Sequence, residues 1–457
     1  MSQRLSFAGH IRAILVLGLP LVGGHLMQFL IGLTDTVMIG WYGVEELAAL
    51  TLGNTMFFTF FLFGSGIAWA VMPMVARFVA QDDQTSIRRA TRMGLWLSMI
   101  FAGLVMPVFV FAEPVLLLLG QGDAVAEGAA LYLAIAGWGM IPALGTMVLK
   151  SYLAALEHTR VVFVITALAA ALNILFNYAL IFGNFGLPEM GIAGAALAST
   201  LTHGVGCLGA MIYAVRKLPE HALFQRFWRP DRGMMAEVFR LGWPIGLTSL
   251  AEVALFAIST LLIGRLGTVP LAAHGIALQL SAAAFMVQVG LSNAATVRAG
   301  NAAGRGDPAH LAAGARAVLW LSVSSALMAA AVFVLVPVPL IGLFLSPTDP
   351  ARAEIIAIGV SLLGMAALFQ LVDGAQVVAL GLLRGLQDTQ VPMIMAGIAY
   401  LGIGFPAAWL LGFPYGFGGV GVWAGLVLGL TAAGGMLIWR FWRQALPALE
   451  SGEVLAR

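Results

Sequence analysis

The sequence is short of charge and of cysteine, and each shortage removes a class of function. Only 10% of its 457 residues are Asp, Glu, Lys or Arg, against about 25% in soluble domains, which excludes an ordinary soluble fold. Cys207 is the only cysteine, so neither an intrachain disulfide nor a thiolate metal cluster can form. There is no HExxH and no paired His/Cys spacing to hold a transition metal, and no GxxxxGK[ST] loop to cradle a nucleotide. The apolar runs are too long, and alternate too little, for a β-barrel. No Lys or Arg lies well inside an apolar run. With no fixed positive charge within the spans, acids placed there suit a mobile cation.

What the chain has instead is length of apolar segment: 61% of its residues are hydrophobic and 55 are glycine. At roughly 20 residues per span this is enough for a dozen membrane helices, packed closely through small residues. The pattern predicts an all-α polytopic membrane protein with spans near 13–40, 47–73, 93–113, 129–150, 161–183, 192–215, 238–264, 272–297, 316–345, 355–382, 391–412 and 418–440. The first run continues past any signal-peptide length without a cleavage site, so it reads as an uncleaved span. With the N-terminus placed inside, all of the 23 basic residues except Arg265 and Arg352 fall on the inner side. This is a positive-inside pattern with both termini cytoplasmic.

The halves repeat. Leu17-Gly18-Leu19-Pro20 returns as Leu241-Gly242-Trp243-Pro244, and Leu95-Trp96-Leu97-Ser98 as Leu319-Trp320-Leu321-Ser322, both at an offset of 224 (244 − 20). An even number of spans per half makes the repeat parallel. The expected division is an N-terminal lobe over 1–215, a basic linker over 216–237 and a C-terminal lobe over 238–457. Pro20 and Pro244 are matched sites for helix kinks.

Three acids lie within spans: Asp35, Glu252 and Asp373. An ionisable group at the centre of a bilayer costs about 2.5–3.5 kcal/mol on insertion scales, which makes each a functional candidate. Carboxylates suit Na⁺ or H⁺, since hard cations prefer oxygen and burial disfavours the charged carboxylate. Glu252 and Asp373 are therefore candidate coupling sites, and candidate ligands for Na⁺. Gln370 and Gln376 flank Asp373 at i−3 and i+3, so their amides share a broad face with it. Gln28 lies seven residues before Asp35 on the same face. Asn173 and Asn177, one turn apart, are placed to face Asp35. Gln28 aligns with Glu252 (252 − 28 = 224) and Asp35 with Ser259, so the two halves carry their acids at non-equivalent positions. The aromatic run 56–63, including Phe61, packs against lipid and helices and offers faces for flat cations by cation–π contact; Phe285 and Met286 read the same way. The span histidines His25, His203 and His274 read as packing residues with a proton role open.

Thr34-Asp35-Thr36-Val37-Met38-Ile39-Gly40, Glu252-Val253-Ala254-Leu255-Phe256-Ala257, Asp373 with Gln376, Leu383-Arg384-Gly385 and Asp388-Thr389, and Leu172-Asn173-Ile174 to Asn177-Tyr178, in this order over twelve spans, resemble the MATE (multidrug and toxic compound extrusion) family in its bacterial NorM-type branch. The likeness covers essentially the whole chain and departs from it at Gly275, where many relatives carry Gln. It implies two six-helix lobes in a V shape, and alternating access exchanging amphiphilic, often cationic compounds for Na⁺ or H⁺. By this likeness Asp35 belongs to an N-lobe proton or substrate site, and Phe256 joins Phe61, Phe285 and Met286 as cavity candidates. The implied partners are small organic cations, amphiphilic drugs and membrane lipids, not nucleic acid. No cofactor is implied, only the coupling ion. The protein is expected to act as a monomer in the bacterial inner membrane.

Two other functions compete. A flippase for lipid-linked precursors shares the two-lobe plan but calls for buried arginines. An intramembrane aspartyl protease needs two buried aspartates in a GxGD context, which Asp373 lacks. A channel would call for a pore-lining ring of acids rather than a few deep ones.

Overall fold

The computed structural model describes residues 5–348 and 350–452, and every regular element among them is helical. Twelve helices are long and apolar enough to cross a membrane. They are α1 (Phe7–Tyr42), α2 (Val44–Ala80), α3 (Gln84–Val110), α4 (Asp123–Ala155), α5 (Thr159–Ile181), α6 (Gly191–Lys217), α7 (Arg232–Gly264), α8 (Thr268–Arg305), α9 (Pro308–Leu335), α10 (Arg352–Gly385), α11 (Gln390–Gly412) and α12 (Gly418–Ser451). Most run several residues beyond their apolar stretch, because polar end residues extend them. Asp83 accepts from the Ser86 amide and Asp307 from the His310 amide, capping α3 and α9. The span expected over 316–345 ends earlier. Val336 leaves helical geometry before Pro337, which opens a separate turn Pro337–Gly342.

The sequence repeat is also a packing repeat. In one half α2 packs on α4, α4 on α6, α3 on α4 and α5 on α6; in the other α8 packs on α10, α10 on α12, α9 on α10 and α11 on α12. Within lipid there is no hydrophobic gain from pairing helices, so contact depends on close backbone approach and interhelical hydrogen bonds. Both are present. A side chain at Gly425 of α12 would put its Cβ 2.1 Å from the Ala408 amide nitrogen of α11. Gly421 and Gly429, one turn to either side, approach the backbone at Leu411 and Gly404. Between α8 and α10, Ser292 Oγ donates to the Val377 carbonyl at 2.7 Å and Thr296 Oγ1 to the Gly381 carbonyl at 2.9 Å.

The chain forms two compact units. One joins the N-terminal segment through Val22 to everything from Leu247 onward, and the other runs Gly23–Gly246. The boundaries therefore fall inside α1 and α7, not in the 216–237 linker. Each lies two residues after a matched proline, Pro20 or Pro244, and they are separated by the repeat offset (246 − 22 = 224). Proline deprives a helix of one backbone hydrogen bond and kinks it, so the two stretches of each helix can take different neighbours. Up to its boundary residue α1 lies on α8, where a Cβ at Gly290 would reach Val22. Up to its boundary residue α7 lies on α2, where a Cβ at Gly66 would reach the Gly246 amide. Gly66 and Gly290 are themselves related by the repeat (290 − 66 = 224). The linker residues pack on α3: Trp96 Nε1 donates to the Phe227 carbonyl at 2.8 Å, and Arg89 pairs with Asp231.

Candidate functional site

In the unit from Leu247 onward, the candidate residues converge on one face of α10. Asp373 is 1% exposed, and Gln370 and Gln376 are fully buried. Gln370 Nε2 donates to the Ser281 carbonyl of α8 at 3.1 Å, and Gln376 Nε2 donates to the Tyr400 hydroxyl of α11. These bonds aim the amides and use their donors. Their acceptor oxygens are left over: among the described residues Asp373 Oδ1, Gln370 Oε1, Gln376 Oε1 and Ser281 Oγ have no hydrogen-bond partner. Orphaned buried oxygens are rare and mark either a water or an ion site. Glu252 of α7 and Asp373 are close enough to act on each other electrostatically. Gly374 makes room here, since a Cβ there would meet Gln288 of α8 at 2.8 Å.

In the Gly23–Gly246 unit, the expected approach of α5 to Asp35 is present. Asn173 Nδ2 donates to Asp35 Oδ1 at 3.1 Å and Asn177 Nδ2 donates to the same oxygen, while Ser199 Oγ of α6 donates to Oδ2 at 2.8 Å. Asn177 Nδ2 also reaches Asn173 Oδ1 at 3.2 Å. An ionised carboxylate only accepts hydrogen bonds and can take all three. The two aspartates thus have opposite surroundings: Asp35 is fully supplied with donors, and Asp373 keeps one bare oxygen.

The family is fixed by comparison with known proteins. A model of the MatE family matches residues 20–179 and 244–410. The chain belongs to the MatE family. It is 48% identical over 443 residues to a probable multidrug resistance protein NorM of Rhizobium meliloti (strain 1021), covering 96% of this chain and 94% of that one. A protein of the same description from Synechocystis sp. (strain ATCC 27184 / PCC 6803 / Kazusa) is 35% identical over 443 residues, covering 96% of each. Among solved structures, the eukaryotic MATE transporter AtDTX14 shares 17% identity and a TM-score of 0.86, covering 98% of this chain and 99% of that one. That likeness carries the fold. As a MatE protein the chain is an integral membrane transporter and not an enzyme.

Several residues of the transporter escaped the sequence reading. Arg384 and Lys150 counted only as inner-side charges. Arg384 instead acts electrostatically on Glu252 and Tyr400, so Glu252 does have a fixed positive neighbour, contrary to expectation. Lys150 turns into its helix bundle, and its Nζ lies 3.5 Å from Gln28 Oε1. Both basic residues lie near the ends of their helices, and long stems carry their charges inward. Tyr400 and Ser199 gave no signal in isolation, being one hydroxyl each in an apolar run. Tyr400 sits in a π-helical stretch, Ile398–Gly404, just before Pro406, the kind of helix irregularity that recurs at functional sites.

His274 is fully buried between two partners. The Trp423 indole N–H donates to its Nδ1 at 3.1 Å, and its Nε2 meets Thr260 Oγ1 at 3.0 Å. Because an indole only donates, Nδ1 carries no proton and His274 is the Nε2–H tautomer. This geometry serves packing. The aromatic candidates also make packing contacts. Phe61 stacks on Phe57, with ring centroids 6.1 Å apart, and Phe57 stacks on Phe109 of α3. Phe256 meets Phe369 edge-on at 5.7 Å, against the core that holds Trp423. Phe285 and Met286 are half-buried on α8.

Proposed function

We propose that this transporter is a multidrug exporter that antiports amphiphilic and cationic organic compounds against Na⁺ or H⁺ by alternating access. The observation that carries the reading is the group of bare oxygens on α10: Asp373 Oδ1 between Gln370 Oε1 and Gln376 Oε1, with Glu252 alongside. Acceptor-only groups in a buried place call for a cation or a proton, and oxygen donors suit a hard cation. The amide donors are already engaged elsewhere, which leaves the oxygens as the unbonded ends of both side chains. Relatives described as probable multidrug resistance proteins support the substrate class.

In this cycle the coupling ion occupies the Glu252–Asp373 site from outside. Drug binding from inside then competes for the same carboxylates or alters them, and by linkage each ligand lowers the other's affinity. The positive charge of Arg384 acts on Glu252 and opposes a second positive charge there, which biases the site towards release of a bound cation. Asp35, with its donors in place, serves the N-terminal unit as a second cation or substrate site. The protein acts as a monomer in a bacterial inner membrane, with both termini cytoplasmic. The lipid-flippase reading is weaker, because the charge of Arg384 is answered by Glu252.

The test is efflux of a fluorescent cationic dye from proteoliposomes under separate Na⁺ and pH gradients. Wild type should need one of the gradients, which names the ion. Asp373→Asn and Glu252→Gln should each reduce gradient-driven efflux at least tenfold while the purified variants remain monodisperse. Efflux that survives both substitutions overturns the coupling site.

A further inference from the structure

Lys150 is the basic side chain that the coupling scheme leaves unused. It lies on α4, and with Gln28 of α1, Thr146, Ile165, Thr166, Thr202 and His203 it lines a cavity of about 20 Å³. Among the described residues its one side-chain hydrogen-bond acceptor is Gln28 Oε1, at a marginal 3.5 Å, and no carboxylate acts on it. The neighbouring titratable groups are two imidazoles, His25 and His203, both close enough to feel its charge. Thr146, Thr166 and Thr202 each donate to a backbone carbonyl one turn back in their own helix, so their protons are engaged and only their oxygens face the hole. An ammonium with three donors thus lies beside a small polar hole, neutralised by no carboxylate and held by one marginal hydrogen bond among the described residues.

The repeat shows what is missing. Glu252 stands at the position equivalent to Gln28 (252 − 28 = 224). Lys150, carried by the later offset of 230, falls at 380, one helical turn before Arg384. In the second half the basic residue of α10 is answered by the acid of α7. In the first half the corresponding acid is an amide, and the negative charge has to come from elsewhere. We propose that Lys150 and Gln28 form a subsite for one anionic group, a carboxylate, carried by an otherwise amphiphilic exported molecule. The cavity admits a group of about one water's size, which fits the end of a carboxylate and not a whole drug. Asp35 lies seven residues further along α1 from Gln28, about 10.5 Å at 1.5 Å per residue. A zwitterion of that span would find a partner for each charge in one unit.

The inference rests on the export reading for the idea that the bound group belongs to a transported compound. Its test is binding at equilibrium, with no gradient, so it is separable from coupling. The probes are rhodamine 6G, a cationic ethyl ester, and the zwitterionic free acid obtained by hydrolysing that ester. Each is titrated into the full-length protein in detergent and followed by fluorescence anisotropy. Wild type should bind the acid more tightly than the ester. Lys150→Met should weaken the acid at least tenfold and leave the ester within about twofold. Gln28→Glu, which copies the acid of the other half, should occupy Lys150 and weaken the acid as well; it also serves if Lys150→Met does not fold. Equal affinity of wild type for both dyes, or equal losses for both in either variant, overturns the subsite and leaves the export reading standing. Binding of neither dye overturns both.

Discussion

Replacing Asn177 by alanine tests the state in which Asp35 rests. Asn177 Nδ2 donates to Asp35 Oδ1 and also reaches Asn173 Oδ1 at 3.2 Å. Both asparagines are fully buried, so water does not simply replace the lost amide. A hydrogen bond to a charged group contributes about 1.5–3 kcal/mol, and one between neutral groups about 0.5–1.5 kcal/mol. If Asp35 is ionised, Asn177→Ala should destabilise the Gly23–Gly246 unit by roughly 2–4.5 kcal/mol, the two bonds together. The single mutant also leaves a small cavity, so the pairwise part has to be isolated. A double-mutant cycle with the near-isosteric but apolar Asp35→Leu, which removes the acceptor, does this. The four proteins would be unfolded reversibly in mixed micelles, with Trp fluorescence as the probe. A coupling of about 1.5 kcal/mol or more means that Asn177 holds a charge; about 1 kcal/mol means that it holds a protonated carboxyl. A coupling below about 0.5 kcal/mol, the level expected of independent sites, refutes the view that α5 presents its amides to Asp35. The same cycle with Ser199→Ala, on the other carboxylate oxygen, should give a value of similar size.

Gly425→Leu should prevent stable pairing of α11 and α12, since even a Cβ at Gly425 would sit 2.1 Å from a backbone nitrogen. The expected result is aggregation on size-exclusion chromatography, whereas Gly435→Leu, where a Cβ meets nothing within 4 Å, should elute as wild type. In the linker, His221 is buried against Tyr152 of α4 through a contact at its Nδ1, and burial holds its pKa below the usual 6.5. A histidine that resists protonation when folded adds stability that is present above the unfolded value and is lost as pH falls through the folded one. The protection factors of residues 218–226, with the intrinsic pH dependence of exchange divided out, should therefore fall as pH drops below 6.5. His221→Gln should remove that pH dependence; if it persists in the variant, the imidazole is not its source.

Much of the site was legible because buried acids are expensive and helical spacing is rigid. Asp35, Glu252 and Asp373 stand out in any apolar run, and the i±3 spacing of Gln370 and Gln376 put their amides next to Asp373 before any coordinates. The one-turn spacing of Asn173 and Asn177 did the same for Asp35. What spacing along one helix cannot give is the rotation of a neighbouring helix, so Ser199 on α6 and Tyr400 on α11 became visible only once packed. The larger miss concerned position along the membrane normal. Counting charges by loop treats Lys150 and Arg384 as interface residues, yet each sits within two turns of its helix end, where a long aliphatic stem can carry the charge inward as readily as outward. The direction is decided by what the bundle offers. Glu252 gives Arg384 a reason to turn in. For Lys150 the equivalent place holds Gln28, and a half-answered charge at a symmetry-related position is the kind of asymmetry by which two copies of one fold come to recognise opposite ends of a ligand.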